Sequence, residues 1–252
     1  MKSFYSLNKE DLDWCVKRLP KKVIKVMKNF PKEATIGGGY IRSCITGDHL
    51  KDIDLFVSSV EVAEKINEQL LNPDQKTFKT KNAYTILRGE KPPIQIIFRW
   101  LYKNPKDVLL DLDFTICCAA IWFEYGSFKS AIHEMYYSDL AAKRLRYTSP
   151  SRIEEAGGSL LRVLKYYNKG YRIMLTSFAK TIARMVISLE ELSFSSWDES
   201  KKHADPSWTK EDQLAKVFNG LLVEVDPNSV AEVDIIRDVE PEEDEEDETF
   251  NI

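Results

Sequence analysis

A strand that runs into consecutive glycines, followed by two aspartates one residue apart, carries the chemistry of this chain. The stretch Ile36-Gly-Gly-Gly-Tyr-Ile-Arg-Ser43 precedes Lys51-Asp52-Ile53-Asp54-Leu-Phe-Val57. Gly38 and Gly39 leave backbone N–H groups open to close approach, and a helix starting there adds positive potential. The turn therefore reads as a phosphate cradle. Arg42 falls on the first turn of that helix, where a guanidinium can meet a charged oxygen, and Lys51 adds a cation beside the aspartates. Asp52 and Asp54 open an apolar strand, so a period of two points both carboxylates to one face with Cα atoms roughly 6.6 Å apart. Such a pair can hold two divalent cations about 3.5–4 Å apart, the arrangement that clamps entering and leaving oxygens in phosphoryl transfer. Three Asp-x-Asp pairs occur, at 11/13, 52/54 and 111/113, but only the middle one follows a glycine turn and leads into an apolar strand.

The elements that must position these residues are legible from periodicity. Two N-terminal helices are expected, Asp11 to Leu19 and then one through Lys28 with Pro20 as its first residue. In the second, Val23, Ile24 and Met27 form an apolar stripe and Lys21, Lys22, Lys25 and Lys28 face solvent. Short strands are expected at Ala34–Ile36, Ile53–Val57, Tyr84–Leu87 and Ile94–Phe98, the last two antiparallel, with a helix over Val60–Leu71. Past Ser149-Pro150 the pattern turns helical. Ser151-x-x-Glu154 has the capping-box form, Gly157-Gly158 would stop that short helix, and Ser159 would cap a longer one. That helix would turn Leu160, Leu161, Val163, Leu164 and Tyr167 to the core. Ile173–Leu192 and Lys210–Leu222 read as further helices, with a polar loop from Ser193 to Trp208 between them. The fold class is α+β, divided as N-terminal basic helices over 1–30, a head over 31–150, a helical neck over 151–222 and an acidic tail over 223–252.

Composition narrows the partners. Of 252 residues, 36 are basic and 40 acidic, for a formal charge of −4. Residues 223–252 hold 13 acidic groups against one basic, a net of −12, which leaves 35 basic and 27 acidic groups and a net of +8 in 1–222. The body is cationic and suited to nucleic acid. The run over 239–249 cannot bury enough surface to fold. It reads as a disordered tail that solubilises the chain, contacts a protein partner or folds back on the basic body. No run approaches a membrane span and no apolar leader opens the chain. Cys15, Cys44, Cys117 and Cys118 lack metal-binding spacing, so a reducing, cytoplasmic setting fits.

Gly38-Gly39-Tyr-Ile-Arg42 with Lys51-Asp52-Ile-Asp54-Leu resembles the signature of the DNA polymerase β-type nucleotidyltransferase superfamily. Within it the likeness is to the head and neck of class II CCA-adding tRNA nucleotidyltransferases and bacterial poly(A) polymerases. Asp113-Phe-Thr-Ile-Cys-Cys-Ala-Ala120 resembles that family's ribose-selecting RRDFTINALA motif. Ser138-Asp139-Leu-Ala-Ala-Lys-Arg-Leu-Arg146 resembles its DLxxRxLR segment, and Ser159-Leu-Leu-Arg162-Val-Leu-Lys165-Tyr166 with Gly170-Tyr171 the motif that opens the neck. The likeness spans about residues 34–175. Ser43 stands where the family has Asp, Asp111 and Leu112 replace two arginines, and Cys117 replaces Asn.

The resemblance implies a polymerase β-like head, a small mixed sheet with flanking helices, followed by an α-helical neck. It implies transfer of NMP from an NTP to an acceptor hydroxyl with release of pyrophosphate. Two Mg²⁺ or Mn²⁺ ions would sit on Asp52 and Asp54. The nucleotide would be held by Gly38, Gly39, Arg42 and Lys51, and by Arg162 and Lys165 of the neck. A third carboxylate is expected on a neighbouring strand. The matching position is Gln95, which is neutral, so Asp113 is the candidate catalytic acid, with Asp111 as alternative and helix capping as the other role for Asp113. The implied acceptor is an RNA, such as a tRNA 3′ end. A protein or small-molecule acceptor, or a non-catalytic RNA- or partner-binding descendant of the fold, stands as the alternative.

Overall fold

A computed structural model describes residues 4–71, 77–150 and 156–191 of the chain. In chain order these form β1 (Phe4–Tyr5), α1 (Lys9–Arg18), α2 (Lys21–Asn29), β2 (Ala34–Gly37), α3 (Gly39–Thr46), β3 (Ile53–Val57) and α4 (Val60–Leu70). Then come β4 (Thr77–Lys79), β5 (Ala83–Arg88), β6 (Lys91–Ile97), 3-10 turns at Pro105–Leu110 and Thr115–Cys117, β7 (Ala119–Glu124) and β8 (Ser127–His133). The described chain ends in α5 (Tyr136–Ala141), β9 (Arg144–Leu145), α6 (Ala156–Tyr167), β10 (Arg172–Ile173) and α7 (Leu175–Glu191). Two compact units emerge, one built from 8–105 and 121–129, the other from 4–7, 106–120 and the described part of 130–191.

The first unit is a mixed sheet flanked by helices, the α+β architecture expected. Its strand order is β7-β2-β3-β6-β5-β4. β2 pairs with β3 antiparallel, β3 with β6 parallel, and β6 with β5 and β5 with β4 antiparallel. The crossover from β3 to its parallel neighbour uses α4, as a parallel pair requires. The Ser59 hydroxyl caps α4 by accepting from Val62 N–H at 3.3 Å. Ile36, Leu55, Ile86 and Ile96 are fully buried and form the centre of the sheet's core, with Ile66 of α4 buried beside them. On α2 the buried stripe is Val23, Val26 and Met27; Ile24 is only half-buried. Lys21, Lys22, Lys25 and Lys28 face solvent as expected. Pro20 is the N-cap of α2 rather than its first residue.

The second unit contains the β1–β8 antiparallel pair, with Phe4 opposite His133, and a parallel β9–β10 pair. Its core is aromatic: Phe114 lies 5.8 Å from Tyr147 and 6.0 Å from Tyr166, and Tyr166 lies 5.9 Å from Tyr171 between ring centroids. Four expectations for this part change. Gly157-Gly158 does not stop a helix, because α6 runs from Ala156 through both glycines. Ser159 is therefore a buried helical residue and not a cap. Weak local stop signals yield where small side chains permit close packing, since tertiary burial outweighs about 1 kcal/mol of glycine propensity. Leu164 and Tyr167 are exposed, while Tyr166 takes the core position between them. The helix expected from Ile173 begins at Leu175, because Arg172 and Ile173 pair with Arg144 and Leu145 instead. The capping box at 151–154, the loop 193–208, the helix 210–222 and the acidic tail lie outside the described residues.

Candidate functional site

The glycine turn between β2 and α3 is built by a conformation that only glycine tolerates. Gly38 has φ +72° and ψ −136° and serves as the N-cap of α3; an L side chain there would be strained. A Cβ on Gly38 would stand 3.7 Å from Asp54 Oδ2, so the turn's backbone lies directly over the aspartate. Asp52 and Asp54 are both half-buried, at the start of β3 whose other side chains are buried. In the parallel register Asp54 faces Gln95 of β6, and Gln95 faces Thr85 of β5. Asp54, Gln95 and Thr85 thus form a polar row across three strands beneath the glycine turn. Thr85 was missed by sequence reasoning; its one signal is a polar residue between the buried Tyr84 and Ile86.

Arg42 does not reach outward from α3. It is 4% exposed, its Nη2 donates to Ser43 Oγ at 3.3 Å, and it lies 3.5 Å from where a Gly39 Cβ would stand. The guanidinium therefore sits under the turn. α3 is held from behind by α1. Tyr40 Oη donates to the Cys15 carbonyl at 2.9 Å, Trp14 Nε1 donates to the Cys44 carbonyl at 3.0 Å, and the Cys15 thiol is pushed up by its hydrogen bond with Cys44 and by burial. Burial likewise pushes the Tyr40 hydroxyl up. Lys51 and His49 are exposed in the preceding loop.

The remaining candidates belong to the other unit. Asp113 is 5% exposed and its Oδ2 accepts from Arg162 Nη1 at 2.7 Å. Two residues that the resemblance assigned to separate roles are partners of one another. Asp113 does not cap the following turn either: Phe114 holds the N-cap position, without a side-chain cap. Asp111 lies half-buried just past the 3-10 turn. Lys165 is half-buried on α6 and is assigned to the nucleotide by resemblance alone. Cys117, where the resembling motif has Asn, has its sulfur 2.9 Å from Tyr166 Oη, and Tyr166 is a buried core residue. Sequence reasoning also missed a network centred on Asp139, which is 0% exposed. Its Oδ2 accepts from Thr115 Oγ1 at 2.7 Å and Arg146 Nε at 2.9 Å, and Arg144 Nη1 lies 3.7 Å from its Oδ1. Its signal in the sequence is Asp139 followed by Arg144 and Arg146 in one short segment.

Solved structures show the same fold. A CCA-adding enzyme in complex with ATP matches with a TM-score of 0.55 and 18% identity over 89% of this chain and 55% of that one. An apo form of a CCA-adding enzyme matches with a TM-score of 0.52 and 19% identity over 88% and 55%. This is the head-and-neck fold of the tRNA nucleotidyltransferases, in a chain that spans just over half the length of those enzymes. No curated protein matches the chain by sequence. The family model described as Gad2, Gabija anti-defense 2 family protein, matches residues 6–143. The chain belongs to that family. Among the described residues no helix is long and apolar enough to cross a membrane.

Proposed function

We propose that this protein is a metal-dependent nucleotidyltransferase that moves NMP from an NTP to an acceptor hydroxyl. The observation that carries the reading is the approach of the Gly38 backbone to Asp54. In this reading the turn that would cradle phosphate lies against a carboxylate whose partner, Asp52, is two residues away, the spacing that puts both on one strand face. No group of three or more His, Cys, Asp or Glu suited to a metal occurs among the described residues. That donor set still fits Mg²⁺, which commonly takes one or two protein carboxylates and completes its octahedron from waters and substrate phosphates. Asp52 and Asp54 would hold the ions, which when bound supply charge neutralisation at the triphosphate. The turn at Gly38 and Gly39 would position the phosphates, with Lys51 at its rim and Arg42 adding positive charge from beneath. The acceptor oxygen bonds to the α-phosphorus, the bond to pyrophosphate breaks, and the hydroxyl proton passes to solvent. Gln95 beside Asp54 cannot take that proton but can hydrogen-bond the acceptor.

The acceptor in the first reading is an RNA 3′ end, supported by the +8 charge of residues 1–222. The family description favours a second: a component of the Gabija defence system as the molecule modified or bound. One assay separates them. The protein is incubated with each α-labelled NTP and Mg²⁺ or Mn²⁺, together with RNA, purified Gabija proteins or total protein. Label on RNA supports the first reading and label on protein the second. Absence of label everywhere, or equal labelling by Asp54→Asn, rejects nucleotidyl transfer at this site.

A further inference from the structure

The turn joining β7 to β8 holds a tyrosine where the backbone disfavours one. Tyr125 and Gly126 have φ of +49° and +76°, the left-handed pair of a tight hairpin that Asn-Gly or Gly-Gly normally fills. A bulky L residue is strained there. Burial does not compensate, because Tyr125 is 85% exposed.

The ring is nonetheless held in place. Lys32, also left-handed at φ +64°, donates its backbone N–H to the Phe123 carbonyl at 3.0 Å. Its ammonium lies 2.6 Å from Glu124 Oε1 and 5.3 Å from the Tyr125 ring centroid. One turn earlier on α2, Lys28 lies 5.9 Å from the Phe123 ring, which meets Phe128 edge-on at 5.2 Å. The hairpin is thus fixed by aromatic and cationic contacts at its base while its tip ring faces water. The adjoining chain is strongly positive, with seven basic residues and no acidic one between positions 17 and 32. Lys25 and Lys28, three apart on α2, are exposed on the same helix.

We propose that this hairpin tip is a binding platform for single-stranded nucleic acid: an unpaired base stacks on Tyr125 while neighbouring phosphates meet Lys28 and Lys25. A π-face accepts any base, whereas a duplex keeps its bases stacked internally and offers none, so the platform selects single strands with little regard to sequence. Left-handed strain at an exposed aromatic is explained if presentation of the ring, and not its burial, is what the turn serves. The surface requires no nucleotide and no cation, so it stands apart from the proposed transfer reaction.

The test is fluorescence anisotropy with the full chain, without NTP or Mg²⁺, using labelled RNA and DNA strands of about twelve nucleotides and the same sequence as a duplex. Tyr125→Asn restores a favoured Asn-Gly turn. The expected result is about a tenfold rise in Kd for single strands, little change for the duplex, and a melting temperature equal to wild type or a few degrees higher. Tyr125→Phe keeps the ring and should bind as wild type. Lys28→Glu should lower the salt dependence of log Kd by about 0.7 or more for single strands. The RNA and DNA arms tell which nucleic acid occupies the platform. Unchanged single-strand binding by Tyr125→Asn overturns the proposal, including the case where only Lys28→Glu weakens it and the surface is merely cationic. Equal loss in Tyr125→Phe and Tyr125→Asn also overturns it, because the hydroxyl and not the ring would then be the contact.

Discussion

Aspartates in the two units of this protein meet different fates, although both sets lie in motifs that resemble one family signature. Asp113 and Asp139 are buried, and each is engaged by arginine: Asp113 by Arg162, Asp139 by Arg146 and, more distantly, Arg144. Asp52 and Asp54 are half-buried at the start of β3, Asp54 with the Gly38 turn over it and Gln95 opposite it in the parallel register. A buried carboxylate with a guanidinium against it is tied into the structure, because removing either partner strands a charge away from water. The half-buried pair beside the glycine turn is the one to which we assign the nucleotide's phosphates and ions. Spacing alone therefore separates neither set; burial and the chemistry of the neighbour do.

That contrast can be broken by mutation. Asp54→Asn should abolish nucleotidyl transfer by on the order of a thousandfold with thermal unfolding nearly unchanged, as label incorporation and calorimetry on one preparation would show. Loss of fold in this variant would move Asp54 into the structural group. Asp139→Ala should do the reverse and destabilise by about 3 kcal/mol, read from the midpoint of urea unfolding. A midpoint within error of wild type would refute its structural role.

Gly38→Ala sharpens the comparison because it touches both stability and chemistry. At φ +72° the substitution should cost about 1–2 kcal/mol and reduce transfer by about tenfold through a displaced turn. A variant as active as wild type would show that the glycine conformation does not serve the phosphates.

The smallest effect is expected at Lys32 and Glu124. The Glu124 carboxyl is held below its ordinary value of 4.5 by the Lys32 ammonium and then by Trp122, and Lys32 is held up by Glu124. A depressed carboxyl contributes stability that is complete above pH 4.5 and fades as the pH falls through the lowered value. The stability difference between wild type and Lys32→Met should be slight at neutral pH, because the lysine end of the pair is open to solvent. It should vanish in acid. A difference that grows on acidification would contradict the pairing.

Much of the scaffold was legible in advance. β3 spans Ile53–Val57 as expected and α4 spans Val60–Leu70, because an alternating or 3.6-residue apolar pattern already states which face is buried. The glycine turn and the Asp52/Asp54 pair were legible for a related reason: only glycine suits such a backbone, and period-two geometry is independent of context. The β7–β8 hairpin was not legible, since Tyr125-Gly126 is a poor turn signal and the apolar run before it reads equally as helix or strand. Nor was the course of α6, where Gly157 and Gly158 argue locally for a stop that packing overrides.

The amino-acid sequence by itself determined the period of each main element, the cationic body, and two carboxylates spaced two residues apart after a glycine turn. These depend on local geometry and residue chemistry alone. Only the tertiary structure decided which distant groups the carboxylates meet. Asp113 meets Arg162 across 49 positions of chain and Asp139 meets Thr115 across 24, while Asp54 comes to lie beside Gln95 through a parallel register. Ion pairs and strand register join residues far apart in sequence, and their strength depends on burial that no local pattern encodes.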